Sequence, residues 1–418
     1  MANDRIAKFM KVLWITNTLF PAISKEIGSV EYFAQGWVYA GAKAILDLND
    51  EMELAVATYY TGKVFIEKKI NNITYFLLPK QKNQENDWKY IKDSFKPVVV
   101  HVQGTEYEYG LSYVKACGSH AVVVSIQGLV SVIEKYYFGG IKLSHLLKST
   151  TLRDIIRWDF AFNQKKNMKR RGTREIRLLR NVGHVIGRTS WDRAHCWAIN
   201  PEAKYHFCNE TLRESFYNKK WALKNCQPHT IFLSQAHYPI KGIQQVIKAL
   251  PLIQKEYPDT KVYVAGHDFF NIGWRKNGFG NYINKLLKQS NKDSKIEFLG
   301  ILTEEEMVDK YLNAHVFVCP SIIENSPNSL GEAQLLGVPS VSSHVGGVLD
   351  MVKDGETGLV YRYEEYEMLA KAVCNIFSDN NLAERLSINS RNIASERHDR
   401  LMNAKELISI YKSVCNYL

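Results

Sequence analysis

Cys319-Pro-Ser-Ile-Ile-Glu-Asn-Ser-Pro-Asn-Ser-Leu-Gly-Glu332, running on through Ala-Gln-Leu-Leu-Gly-Val-Pro339, is the stretch whose reading decides the fold. Val316, Phe317 and Val318 before it form an apolar run of buried-strand length. Glu324 to Asn328 is a polar turn, and Ser329 to Leu336 reads as a helix closed by Gly337 and Pro339. A strand ending in a polar loop that opens a helix builds an anion site. The first helical N–H groups are unpaired there, and the helix dipole favours negative charge. Glu324 in the loop and Glu332 further along the helix bracket that site. Such a helix start could face phosphates while the carboxylates accept hydrogen bonds from sugar hydroxyls, a division of labour that suits a nucleotide-sugar. Taken alone, the pattern equally fits an ordinary strand–loop–helix with two surface glutamates.

Outward from this stretch, the second half of the chain alternates. Strand patterns at 230–233, 261–265, 296–299, 314–319, 340–342 and 359–361 are separated by helical ones, among them 242–257, 304–313 and 365–377. The first half repeats the arrangement with strand patterns at 11–16, 53–58, 73–78, 97–102, 121–126 and 182–186, and a helical one at 108–117. Alternation of this kind predicts an α/β chain with two doubly wound parallel sheets, ligands lying at the carboxyl ends of the strands. Residues 200–228 read as a strandless transition. The expected domains are therefore 1–210, 211–395 and a final amphipathic helix, 396–418, crossing back to the first domain. Two such sheets facing each other across a cleft form an architecture for joining two substrates.

A length of 418 residues exceeds one ordinary core and predicts two or three domains. No run approaches the roughly 20 apolar residues needed to span a bilayer, and the start has no apolar core of a secretory signal. Seven cysteines, scattered without a Cys-x-x-Cys pair, fit reduced thiols in a cytosol. The formal charge of +11 points to an anionic partner: a phosphate-bearing substrate, an anionic lipid or a nucleic acid. Between Leu143 and Phe162 the chain is rich in Leu, Ile, Trp and Phe. Lys165, Lys166, Lys169, Arg170, Arg171, Arg174, Arg177 and Arg180 then follow with Glu175 as their only acid. An apolar stretch joined to a basic cluster reads as a membrane-surface element, each cation adding up to ~1 kcal/mol near an anionic bilayer. A packed helix followed by a solvated loop is the plainer reading. No nucleic-acid fingerprint supports the third.

Several residues sit at expected strand ends. Gly28 falls where the loop after the first strand opens a helix, and a glycine there lets a ligand approach the backbone. His101 is a candidate for acid–base or polar substrate contact, although a lone histidine near a strand end is often structural. Glu106 follows a Gly-Thr turn and also fits an N-cap neighbour, while Gln127 ends the next strand. Arg188 suits bidentate contact with phosphate. Lys241 opens a helix after the loop 234–242, and Gly346-Gly347 offers backbone contact.

Glu324 and Glu332, seven residues between them, follow a strand ending in Pro320-Ser321. With Lys241-Gly242, Gly346-Gly347, Gly337-Val-Pro339 and Asp354-Gly-Glu-Thr-Gly358, they resemble the retaining glycosyltransferases of the GT-B fold, in the large family four (glycosyl transferases group 1). The likeness is dense over 230–395 and looser before it. It implies that Glu324 lies near the transferred sugar and that Glu332 holds ribose hydroxyls. Lys241 would stabilise the diphosphate leaving group, with Asn328, Ser329 and Gly28 beside it. The implied reaction moves a sugar from a UDP- or GDP-sugar to a glycan or lipid-linked acceptor, for surface polysaccharide, at the cytoplasmic face of a membrane. Two positions depart from the pattern. Gln235 stands where an arginine is frequent, and Gln127 where a histidine is; glutamine brings neither charge nor titration near neutrality. Arg188 and His101 are the candidate substitutes, with His101, Glu106 and Gln127 on the acceptor side. No cofactor and no metal are expected, the chain lacking Asp-x-Asp. A nucleotide-sugar 2-epimerase, a phosphorylase and a non-catalytic nucleotide-sugar-binding protein are the alternatives.

Overall fold

A computed structural model of the chain describes residues 10–29, 36–49, 51–80, 84–266, 277–290 and 295–415. The chain divides into two compact units, the first made of 1–131, 170–212 and 399–418, the second of 132–169 and 213–398.

The first unit is built on eight strands. They are β1 (Met10–Thr16), β2 (Met52–Tyr60), β3 (Ile66–Ile70), β4 (Ile73–Pro79), β5 (Val99–Gln103), β6 (Val122–Ser125), β7 (His184–Gly187) and β8 (Lys204–Phe207). Their order is β3-β4-β2-β1-β5-β6-β7-β8. β1 lies between β2 and β5, parallel to both. Val12 to Ile15 are buried in succession because helices cover both faces of a parallel sheet. The terminal helix Arg400–Cys415 packs on the helix Gly36–Leu48. Its Tyr411 hydroxyl accepts the Trp14 indole N–H at 2.8 Å deep in the core.

Two edge strands differ from the sequence expectation. Only the ends of Ile66-Glu-Lys-Lys-Ile70 are apolar, so no buried-strand pattern announces β3. It pairs antiparallel with β4 through Asn71 and Asn72, both at positive φ, the two-residue turn that matches strand twist. β8 lies inside the segment expected to be strandless. It pairs with β7 alone, and its Lys204 and Phe207 remain exposed. The loop that holds Gly28 carries an element the sequence reading did not expect. A short helix, Pro21–Glu26, occupies the loop after β1, and Gly28 closes it at φ +62° with its N–H on the Lys25 carbonyl. The expected start of the next helix, 30–35, lies outside the described residues.

The second unit holds β9 (Thr230–Leu233), β10 (Lys261–Ala265), β11 (Ile296–Gly300), β12 (Val316–Cys319), β13 (Ser340–Ser343) and β14 (Leu359–Tyr361). All its pairings are parallel, in the order β11-β10-β9-β12-β13-β14. Residues 132–169, which the sequence reading places in the first domain, group with this unit. Their helices Leu143–Ser149 and Leu152–Arg157 pack beside the helix Gly278–Gln289, where Asn281 Nδ2 donates to the Ser149 carbonyl at 2.9 Å.

Candidate functional site

In the second unit the strand order reverses at β9, which has β10 on one side and β12 on the other. The loops leaving the carboxyl ends of β9 and β12 lie at this switch point, the place where open α/β sheets bind ligands. The first loop carries Gln235 and Lys241, the second Glu324. Backbone contact fixes the two together, the Ile322 N–H donating to the Ile240 carbonyl at 2.9 Å. Gly242 has φ +74°, and a Cβ there would lie 1.7 Å from the Pro320 carbonyl oxygen. Gly346 has φ +52°, with a Cβ position 1.8 Å from the Glu324 carbonyl oxygen, which also accepts the Gly347 N–H at 3.0 Å. Three loops thus press backbone on backbone at points where only glycine fits.

This scaffold sets the charges. Lys241 Nζ lies 2.6 Å from Glu324 Oε1, which also accepts the Ser321 hydroxyl at 2.7 Å. Burial pulls the Lys241 pKa down, but the Glu324 carboxylate outweighs it and the net shift is upward, so the ammonium stays charged. The helix Asn328–Leu336 follows with no side chain capping its start. Asn328 and Ser329 are half-buried there, and the Ser329 carbonyl accepts the Tyr311 hydroxyl at 2.9 Å. Gln235 is half-buried, its Cα against Gly266.

Glu332 is buried and has a partner that the sequence did not reveal. Arg213 Nε and Nη2 both reach Glu332 Oε1 at 2.8 Å, and the guanidinium stands 4.6 Å over the Phe216 ring. Burial pushes the Glu332 pKa up and Arg213 opposes the rise. Arg213 itself is pulled down by burial and raised, on balance, by Glu332. The two form an ionised pair, since two N–H donors on one carboxylate oxygen reward only the charged form. Arg213 falls in the segment read as a transition, where no periodicity marks it.

The first-unit candidates have other surroundings. His101 is buried, with Nε2 2.6 Å from Ser125 Oγ and Nδ1 2.6 Å from Tyr411 Oη and 3.1 Å from Gln103 Nε2. The Gln103 amide nitrogen can only donate, which makes Nδ1 an acceptor and the ring the Nε2–H tautomer. Burial, helped by the Arg188 charge, lowers the His101 pKa from 6.5 to about 3. Arg188 is buried too, paired with Glu210 at 2.5 Å and donating to the Ile126 carbonyl at 2.7 Å. Both line one cavity with Trp14, Gln103 and Asn403. There, protein partners occupy the groups expected to replace the missing arginine and histidine.

Glu106 follows Gly104 beyond β5, and burial raises its carboxyl pKa to about 7. Its Oε2 is enclosed without a hydrogen-bond partner. Gln127 lies half-buried just beyond β6.

A histidine held neutral has a stability consequence. Below pH 6.5 the unfolded chain takes up a proton that folded His101 refuses until about pH 3. The contribution is complete above pH 6.5 and is lost progressively as pH falls through that window. His101→Gln is expected to melt lower at pH 7, through its lost hydrogen bonds, and to show a shallower fall in Tm from pH 6.5 to 4. Parallel slopes in the two proteins would mean that His101 does not titrate as described.

The family model for glycosyl transferases group 1 matches residues 215–393. An uncharacterised glycosyltransferase of Methanocaldococcus jannaschii is 27% identical over 182 residues, 44% of each chain. The matched stretch spans less than half the length of the first curated relatives. Among solved structures, sucrose-phosphate synthase from Thermosynechococcus elongatus aligns with a TM-score of 0.72 at 16% identity, covering 98% of this chain and 100% of that one. Anabaena HepE in complex with UDP and glucose aligns at 0.68 and 14%, covering 97% and 100%. Residues 215–393 therefore belong to the glycosyl transferases group 1 family, and the chain carries them in a GT-B fold.

Proposed function

We propose that the protein is a retaining glycosyltransferase that moves a hexose from a nucleotide diphosphate, a UDP- or GDP-sugar, to a glycan or lipid-linked acceptor in surface polysaccharide synthesis. The observation that carries the reading is Lys241 and Glu324, 2.6 Å apart where the strand order reverses, with Glu332 in the helix that follows. HepE, which shares the fold, holds UDP and glucose, and this supports a donor of that class.

Breaking the sugar–phosphate bond leaves extra negative charge on the diphosphate. The Lys241 ammonium and the uncapped helix start at Asn328 and Ser329 are fixed donors for that charge, and preorganised donors act without reorganising during the reaction. Glu324, left with one oxygen beyond the Lys241 contact, accepts sugar hydroxyls and steadies positive charge at the anomeric carbon. Glu332 Oε2, opposite the oxygen taken by Arg213, accepts ribose hydroxyls. No protein nucleophile is needed if the acceptor enters on the face the phosphate leaves, with the phosphate taking its proton. The work is then done at an inner membrane face, where lipid-linked acceptors lie.

The test is a melting screen with UDP- and GDP-sugars, followed by anomeric analysis of the product formed with the stabilising donor. A Tm rise with a UDP- or GDP-sugar and a product of unchanged anomeric configuration are expected. Inversion would remove the retaining mechanism. Isomerised donor without acceptor would favour the epimerase, and stabilisation with no turnover over hours would leave a binding protein.

A further inference from the structure

Helices Leu143–Ser149 and Leu152–Arg157 dock on the second unit by one side only. On the inner side Leu146, Ser149 and Asp154 are buried, Lys285 Nζ donates to the Lys148 carbonyl at 2.5 Å, and His145 stacks on Tyr282. Asp154 closes a capping box with Thr151. The outer side is apolar. Leu143 and Leu147 share one helical face, Leu152, Ile155 and Ile156 share the next, and Trp158 and Phe162 follow. Leu152, Ile156 and Trp158 are 77%, 79% and 75% exposed. A surface helix normally turns polar residues outward, so seven exposed large apolar side chains within twenty residues mark a surface that something covers.

The rim is of one sign. Lys142, Lys148, Arg157, Lys166 and Lys169 are exposed around the stripe, and Lys165 stands over the Phe138 ring. The only acids between 141 and 169, Asp154 and Asp159, are both paired with Arg153. Further along the helix Ala161–Arg180, Arg171 donates to the Glu106 carbonyl and Arg174 pairs with Glu108.

We propose that the outer face of 143–162 docks on an anionic lipid bilayer, the apolar side chains entering the headgroup–acyl boundary and the surrounding cations meeting lipid phosphates. Apolar stripes with basic edges lie in that plane, and Trp158 suits its wet boundary. No helix among the described residues is long and apolar enough to cross a membrane. A second copy of this chain is the weaker occupant, because an isologous contact would bring two cationic rims together. The inference deepens the lipid-linked-acceptor reading, but its readout needs no donor, so the two fail separately.

The experiment is co-sedimentation of the full chain with phosphatidylcholine vesicles, with and without phosphatidylglycerol, at low and high salt. Wild type is expected to bind the anionic vesicles in a salt-sensitive way. Leu152→Ser/Ile156→Ser/Trp158→Ser should weaken that binding at least about tenfold without lowering Tm, since these side chains are already exposed. Lys166→Ala/Lys169→Ala should reduce the preference for anionic over neutral vesicles. Wild type that ignores anionic vesicles, or a triple variant that binds them equally well, would overturn the proposal. So would a wild-type dimer that the triple variant dissociates while neither protein binds lipid.

Discussion

Glu324→Ala is expected to slow sugar transfer by about two to three orders of magnitude while nucleoside diphosphate binding survives. The carboxylate holds Lys241 at 2.6 Å and accepts from Ser321. Removing it leaves the Lys241 ammonium enclosed without its counter-charge, which lowers the stability of the empty protein. A bound diphosphate supplies that charge. The variant should therefore melt lower than wild type when empty and recover more when a nucleoside diphosphate is added, with Kd unchanged or tighter. Transfer is expected to fail for a different reason: nothing replaces the oxygen proposed to face the sugar. Glu324→Gln keeps the shape and an acceptor for Lys241, so it should fold like wild type yet share most of the rate loss. Calorimetric Kd values beside single-turnover rates check this. Wild-type turnover in either variant would remove Glu324 from the reaction, and loss of nucleotide affinity in both would place it in binding instead.

The frame of this candidate site was legible in part. Continuous apolar runs mark the buried parallel strands: the structure places β9, β10 and β14 on the residues expected, and β9, with a neighbour on each side, is buried throughout. The edge strands β3 and β8 leave no such mark. β3 is mostly charged and depends on two asparagines at positive φ, and β8 has a single neighbour. Gly242 and Gly346 could be noticed in the sequence, but the carbonyls they accommodate, Pro320 and Glu324, belong to loops about 80 and 20 residues away, and only folding brings them together. Ion pairs are less legible still. Nothing local joins Arg213 to Glu332 or Arg188 to Glu210, and the same arginine reads as a phosphate ligand or as a buried counter-ion until its neighbours are known. His101 shows the same ambiguity: its position suggested chemistry, whereas burial, helped by the Arg188 charge, holds it neutral between Tyr411 and Ser125. The segment 132–169 looked like part of the domain it interrupts, because chain order carries no information about which unit a helix pair packs on.

Arg213→Ala is expected to destabilise the second unit by roughly 3–5 kcal/mol, the cost of leaving one partner of a buried pair uncompensated. Glu332 is buried, and Arg213 supplies both N–H donors to its Oε1. Without them burial acts on the carboxyl unopposed, and its pKa rises further above the ordinary range. The sign follows from proton binding. Folded Glu332 would keep a proton that the unfolded chain has released, so the variant's stability is fullest below the ordinary carboxylate pKa and declines as pH rises through the raised one. Donor affinity should move the other way. If Glu332 Oε2 accepts ribose hydroxyls, the donor KM of the variant is high where the carboxyl is protonated and falls as pH rises, while in wild type, where Arg213 opposes the rise in the carboxyl pKa, that fall is complete at lower pH. Arg213→Lys restores the charge but not the paired N–H geometry, so it should recover most of the stability and only part of the affinity. A merely structural arginine predicts something else: lower Tm in the alanine variant, with a donor KM that follows wild type at every pH. Melting curves and KM values across pH for the three proteins decide between a residue that supports the fold and one that positions Glu332 for its ligand.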